Sequence, residues 1–135
     1  MNKLTLVDTN VLLDVFTDDP VWADWSSKAL IQAASEGQIG INPLIYAEIS
    51  VGFKSAEILD QALDALGLQR WPLPYAAAWP AARAFVRYRK QRGERRPPLP
   101  AFYIGAHAAV EALRLLSRDR GRYGTYFPMV DLICP

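Results

Sequence analysis

Five short β-type runs punctuate this chain, at residues 4–7, 38–41, 68–71, 115–117 and 130–133. Helical spacing fills the intervals, at residues 9–16, 22–36, 43–53, 55–67, 75–91 and 101–114. Short strands that alternate with helices specify an α/β fold with a parallel sheet. The punctuation between them is explicit. Asp18-Asp19-Pro20 stops one helix and caps the next. Asn42 caps and Pro43 opens another, and Gly37 and Gly67 close two more. Pro80 is compatible with residues 75–91 only if the helix breaks or restarts there. There is no internal repeat. With 135 residues, 51% of them hydrophobic, a single domain spanning residues 1–135 with a real core is expected.

Composition excludes several classes. No apolar run reaches the roughly 18 residues that a membrane span needs. The amino-terminal run meets Asp8 too early for a secretory signal. The lone Cys134 forms no internal disulfide, so a soluble, cytoplasmic protein is expected. One Cys and one His do not make a structural zinc site. Phosphate-loop and dinucleotide fingerprints are missing, as is a serine nucleophile elbow that could use His107; that residue reads as a packed structural histidine.

Charge is unevenly placed. From Arg83 to Arg96 there are seven basic residues and one acid, which leaves eight bases against thirteen acids elsewhere. Such a segment is either a solvated helix end or a phosphate-binding stripe, with Arg89, Arg92, Arg95 and Arg96 as its candidate nucleic-acid contacts.

Three acids stand in unusual settings. Asp8 follows the first strand directly, and Asp119 follows the fourth by two residues. In an open parallel sheet the carboxyl ends of strands line the ligand crevice. Glu48 lies among Leu44, Ile45, Ile49 and Val51 on a helix. Each has an ordinary alternative: Asp8 as a helix cap, Asp119 as a turn acid paired with Arg118 or Arg120, Glu48 on a polar edge. Taken together they point to a cluster. Clustered carboxylates stay ionised only beside a cation, and an all-oxygen set favours Mg²⁺ or Mn²⁺. Beside a basic stripe, the fitting substrate is a nucleic-acid phosphodiester.

The residues around these acids resemble a known family. Leu6-Val7-Asp8-Thr9-Asn10-Val11-Leu12-Leu13-Asp14 is similar to the opening motif of PIN-domain ribonucleases of the VapC toxin type. Tyr46-Ala47-Glu48-Ile49-Ser50-Val51-Gly52 resembles their second motif, and Leu99-Pro100-Ala101-Phe102-Tyr103-Ile104-Gly105-Ala106-His107-Ala108 the third. Leu116-Ser117-Arg118-Asp119-Arg120-Gly121-Arg122-Tyr123, followed by Tyr126-Phe127-Pro128, resembles the fourth. The resemblance spans essentially the whole chain. It implies a three-layer α/β domain, Mg²⁺- or Mn²⁺-dependent endonucleolytic cleavage of RNA, a homodimer, and a cognate antitoxin whose tail reaches the active site.

By position, the resemblance makes Asp8 and Asp119 metal-binding carboxylates and Glu48 an acid that ligates metal or orients water. Thr9, Asn10 and Ser117 become hydrogen-bonding groups around them. The family has Asp where this chain has Ala101. Ala suits the first turn of a helix but supplies no ligand, and the motif around it is intact. The isolated break looks like one inactivating substitution in an otherwise consistent site. It implies weak metal binding and poor cleavage. Two rival readings follow: a nucleic-acid- or antitoxin-binding module without catalysis, and a phosphatase of the haloacid dehalogenase type. The latter motif needs an acid two residues after Asp8, where Asn10 stands.

Overall fold

A computed structural model describes residues 2–92 and 99–135 of the chain. Five parallel strands form its sheet: β1 (Thr5–Val7), β2 (Ile39–Ile41), β3 (Leu68–Arg70), β4 (Arg114–Leu116) and β5 (Leu132–Ile133). Their spatial order is β3-β2-β1-β4-β5. Among the described residues seven helices accompany them: α1 (Thr9–Phe16), α2 (Ala23–Glu36), α3 (Pro43–Ser50), α4 (Ala56–Ala65), α5 (Ala78–Arg92), α6 (Leu99–Val110) and α7 (Arg120–Tyr126). This is the parallel α/β sheet that the alternation implied, in the three-layer arrangement that the resemblance implied. The central strands are buried: Leu6, Val7, Leu115 and Leu116 are fully enclosed, as are Ile45, Ile49, Leu59 and Leu63 on the helices. No described helix is long and apolar enough to cross a membrane.

The strand order reverses between β1 and β4, whose pairing matches Leu6 with Leu115 and Val7 with Leu116. A crevice opens at such a switch point, beyond the carboxyl ends of the two strands. Asp8 leaves β1 there, and its N–H still donates to the Leu116 carbonyl at 2.9 Å. Ser117 leaves β4 beside it.

Two expectations are corrected in detail, and the condition set by Pro80 is met. The helix read as residues 101–114 begins at Leu99 and ends at Val110, and Arg114 belongs to β4. Ala112 adopts φ 52°, and the Leu113 N–H turns back to the Ala108 carbonyl at 2.9 Å, a left-handed helix end made without glycine. Residues 75–91 split into a 3₁₀ turn (Tyr75–Ala77) and α5, which places Pro80 in the first turn of α5 where its missing N–H does no harm. The short helix α7 fills what read only as a loop after Asp119. Its Gly121 and Gly124 hide it from helix propensity.

Two close contacts fix the helices against one another. Gly105 lies under Phe127: a Cβ there would meet the ring at 2.5 Å. Asn42 does two things. Its Oδ1 caps α3 by accepting from the Ile45 N–H at 3.0 Å, so its amide NH₂ is the end that faces His107 Nδ1, also at 3.0 Å. His107 Nδ1 therefore accepts, and Nε2–H donates to Glu111 Oε1 at 3.2 Å. His107 is fully buried, and burial holds its pKa below the usual imidazole value, which keeps the ring neutral. The expectation of a packed structural histidine holds. The bond joins α3, which carries Glu48, to α6, which carries Ala101.

Replacing Asn42 by Ala removes the cap and strands the acceptor of His107. The expected loss is about 2–3 kcal/mol of folding stability. Urea unfolding checks it, and a loss under about 0.5 kcal/mol would remove Asn42 from this role.

Candidate active site

Asp8, Glu48, Ala101 and Asp119 come together on one cavity of about 230 Å³, along with Thr9 and Asn10. The site sits at the carboxyl end of β1 and β4, where the sequence placed it. A larger cavity of about 610 Å³, bordered by Lys3, Arg114 and Asp131, lies at the opposite, amino end of the strands; among the described residues Asp131 is the only acid on it.

Asp8 is the most heavily bonded of the acids. It caps α1, its Oδ1 accepting from the Thr9 N–H at 2.8 Å. Its Oδ2 accepts from Ser117 Oγ at 2.8 Å, from Tyr123 Oη at 3.1 Å and from Asn10 Nδ2 at 3.4 Å. Being a cap and facing the cavity are therefore not alternatives, because the same carboxylate does both. Asn10 spans the strand ends: its Nδ2 also reaches Ser117 Oγ at 3.2 Å, and its Oδ1 accepts from the Arg118 N–H at 3.1 Å. Ser117 Oγ accepts from the Asp119 N–H at 3.0 Å.

Asp119 caps α7 through Oδ1, which accepts from the Arg122 N–H at 3.1 Å. Its Oδ2 pairs with Arg122 Nη1 at 2.7 Å. The expected ion-pair partners were Arg118 or Arg120. Arg118 instead forms a two-point ion pair with buried Asp14, at 2.7 and 3.0 Å, and Arg120 reaches the Pro135 carbonyl. The helical turn between Asp119 and Arg122 puts the side chains at i and i+3 on one face, which the sequence alone did not reveal without α7.

Glu48 is exposed, not embedded among its apolar neighbours. Ile45 and Ile49 point into the core while Glu48 points to the cavity mouth, where Thr9 Oγ1 donates to its Oε1. Both descriptions of Glu48 hold in part: it emerges at a polar edge, and that edge is the rim of the site. Ala101 is half-buried in the first turn of α6.

The profile of the PIN domain matches residues 5–127. The chain belongs to the PIN domain family. None of the curated proteins matches it in sequence. In fold it is similar to a chain of VapBC2 from Rickettsia felis bound to a promoter DNA fragment, at 18% identity over 98% of each chain with a TM-score of 0.73. It is also similar to a toxin–antitoxin complex from Klebsiella pneumoniae, at 23% identity over 97% of each chain and a TM-score of 0.67. A third likeness is to VapBC-1 from nontypeable Haemophilus influenzae, at 14% identity over 97% of each chain and a TM-score of 0.69.

Two contributors to this PIN domain site carried no role in the sequence reading. Tyr123 is buried and donates to Asp8, and Arg122 lines the cavity beside the acids. The sequence signal for both was position in the fourth motif and nothing more specific. Of the basic segment, Arg89 is exposed on α5, whereas Arg95, Arg96 and the side chain of Arg92 lie outside the described residues.

The donor set is chemically suited to a hard divalent cation, being all oxygen and converging on one cavity. It is not a finished cage: among the described residues no group of three or more His, Cys, Asp or Glu stands close enough to hold an ion. Each acid is already engaged by donors of the chain itself.

Burial raises the Asp8 pKa above the ordinary carboxylate value, and the neighbouring Glu48 charge pushes the same way, against hydrogen bonds from Ser117, Thr9 and Tyr123. Tyr123 is raised well above the usual phenol value, first by burial and then by Asp8. The raised Asp8 pKa means that the folded chain keeps this proton to higher pH than the unfolded chain. Its contribution to stability is full below the ordinary carboxylate pKa and is lost as pH rises through the raised value. In metal-free protein, Asp8→Asn removes this pH dependence and also one acceptor oxygen of the donors around it. Relative to the Asp8→Asn form, the unaltered chain should therefore lose stability as pH rises from 4 to 7. Urea midpoints of both forms over that range test this, and a difference that does not change with pH would contradict the assignment.

Proposed function

We propose that this chain is a VapC-type toxin: a metal-dependent endoribonuclease scaffold paired with an antitoxin, attenuated by Ala at position 101. The observation that supports it most is the convergence of Asp8, Glu48, Asp119 and Ala101, from four separate motifs, on one cavity at the switch point. The structural likenesses to chains of toxin–antitoxin complexes support the antitoxin partner. A homodimer, RNA as the substrate, and a single domain over the full chain are part of the same reading.

In this reading Asp8 and Asp119 hold Mg²⁺ or Mn²⁺, and Glu48 holds the ion or orients the attacking water. The bound ion supplies neutralisation of the phosphodiester charge and a water of lowered pKa. Thr9 fixes the Glu48 carboxylate, whereas Asn10, Ser117 and Tyr123 fix that of Asp8. Fixed carboxylates need little rearrangement when charge develops. Ala101 removes one negative charge and up to two oxygen ligands, which lowers affinity for a hard cation.

Ala101 also favours a second reading, a binding module without catalysis. The two separate cleanly. Ala101→Asp should confer Mg²⁺- or Mn²⁺-dependent RNA cleavage that EDTA abolishes. In that background Asp119→Asn should cost at least about 100-fold in rate. If the folded, metal-loaded Ala101→Asp form leaves RNA intact, the nuclease reading fails and the binding module stands.

The basic segment, with Arg89, Arg92, Arg95 and Arg96, is proposed to attract RNA or the antitoxin tail. Neutralising all four should flatten the plot of log affinity against log salt, by roughly 0.7 for each phosphate of single-stranded RNA that the segment neutralises. Fluorescence anisotropy over a salt series measures the slope, and an unchanged slope returns the segment to a solvated surface.

A further inference from the structure

The carboxylate cavity contains a cation of the chain's own. Among the described residues, Arg122 is the only basic side chain that lines it. Its Nη1 donates to Asp119 Oδ2 at 2.7 Å, and its guanidinium carbon lies 5.9 Å from the ring centre of Phe102, the residue after Ala101. The hold is partial. Arg122 Nε is buried and has no hydrogen-bond partner, so the guanidinium grips Asp119 through one nitrogen and not two. The other Asp119 oxygen is committed to the Arg122 N–H. The Asp119 oxygen that the backbone cap leaves free is therefore the one that the guanidinium holds.

We propose that Arg122 is a resident counter-cation that occupies Asp119 and sets the cation affinity of the site, so that a divalent ion binds only by displacing it. The proposal rests on the metal-site reading of Asp8 and Asp119. The physical ground is competition between cations for one carboxylate. A guanidinium is charged at every accessible pH, so it repels an incoming ion as well as masking its ligand. The masking is reversible because the grip is single-point and the side chain retains 25% of its exposure. Arg122 is a positioning residue in this scheme. An acid at position 101 would add a fourth carboxylate to the same cavity, giving the guanidinium an alternative partner and releasing Asp119.

The test is Mn²⁺ binding, measured by isothermal titration calorimetry on the full chain and on Arg122→Gln, Arg122→Lys and Ala101→Asp. Arg122→Gln should bind Mn²⁺ roughly tenfold or more tighter than the unaltered chain. Arg122→Lys retains the charge and should stay much closer to it. Should Arg122→Gln not fold, the Nε–H resonance of Arg122 in the unaltered chain serves instead: it should shift as Mg²⁺ is titrated in. If Ala101→Asp binds Mn²⁺ but Arg122→Gln leaves affinity unchanged or weaker, the role of Arg122 is overturned. A resonance that does not move while Mg²⁺ binds overturns it equally. If no form binds Mn²⁺, Ala101→Asp included, the metal-site reading falls and this proposal falls with it.

Discussion

One buried carboxylate organises the centre of this protein. Asp8 accepts hydrogen bonds from Thr9 and Asn10 of α1, from Ser117 after β4, and from Tyr123 of α7. Those donors come from both sides of the strand-order reversal, so the same group that faces the cavity also holds the crevice in shape. Burial of the charge is unfavourable, and the raised pKa of Asp8 is its signature. The hydrogen bonds offset part of that cost and fix the carboxylate in place. A second tie reinforces the unit. Asp14 binds the Arg118 guanidinium at two points and the Ser26 hydroxyl at 2.6 Å, and Arg118 lies over the Trp22 ring. Together these contacts clamp α1 and α2 to the loop that presents Asp119.

The remaining two members of the cavity reach it by another route. Glu48 and Ala101 ride on α3 and α6, which are joined by the bond between Asn42 and His107. The site is thus made of two units, one built around Asp8 and one around His107, that meet at the cavity mouth. The contact from Thr9 to Glu48 crosses between them.

Much of this was legible in the sequence, for definite reasons. The strands could be read because short β-type runs end in abrupt capping residues, and α1 and α3 because Asp8 and Asn42-Pro43 announce them. Asp8 and Asp119 could be placed because strand ends in a parallel sheet share one edge. What escaped was set by tertiary contacts. The helix α7 is short and contains two glycines, so only Asp119 capping and the burial of Tyr123 and Tyr126 make it a helix. Without α7, the i,i+3 pairing of Asp119 with Arg122 was invisible, and neighbouring arginines looked equally good. The end of α6 was misplaced because Ala112 takes a left-handed conformation that glycine normally signals. Glu48 looked buried because its neighbours are apolar. On a helix whose two flanks differ, four apolar neighbours do not decide which way the side chain between them faces.

Position 101 shows why chemistry and fold are separable at one place in this site and not at another. Asp8 cannot be altered without disturbing the donors from α1, α7 and Ser117, because its oxygens satisfy them. Ala101 makes no comparable demand. It occupies the first turn of α6, where alanine is a good helix former, and the helix is anchored elsewhere, by Phe102, Ile104 and Gly105 in the core and by His107 toward α3. An acid there would be favoured by the helix dipole, yet no described group needs it in order to be satisfied, except the unpartnered Arg122 Nε in the same cavity. A carboxylate at 101 is therefore a purely electrostatic addition. It changes the balance between three acids and one guanidinium without changing what holds the helices together. That is the physical reason a chain with Ala at this position can retain the complete PIN domain fold and the remaining acids in their places.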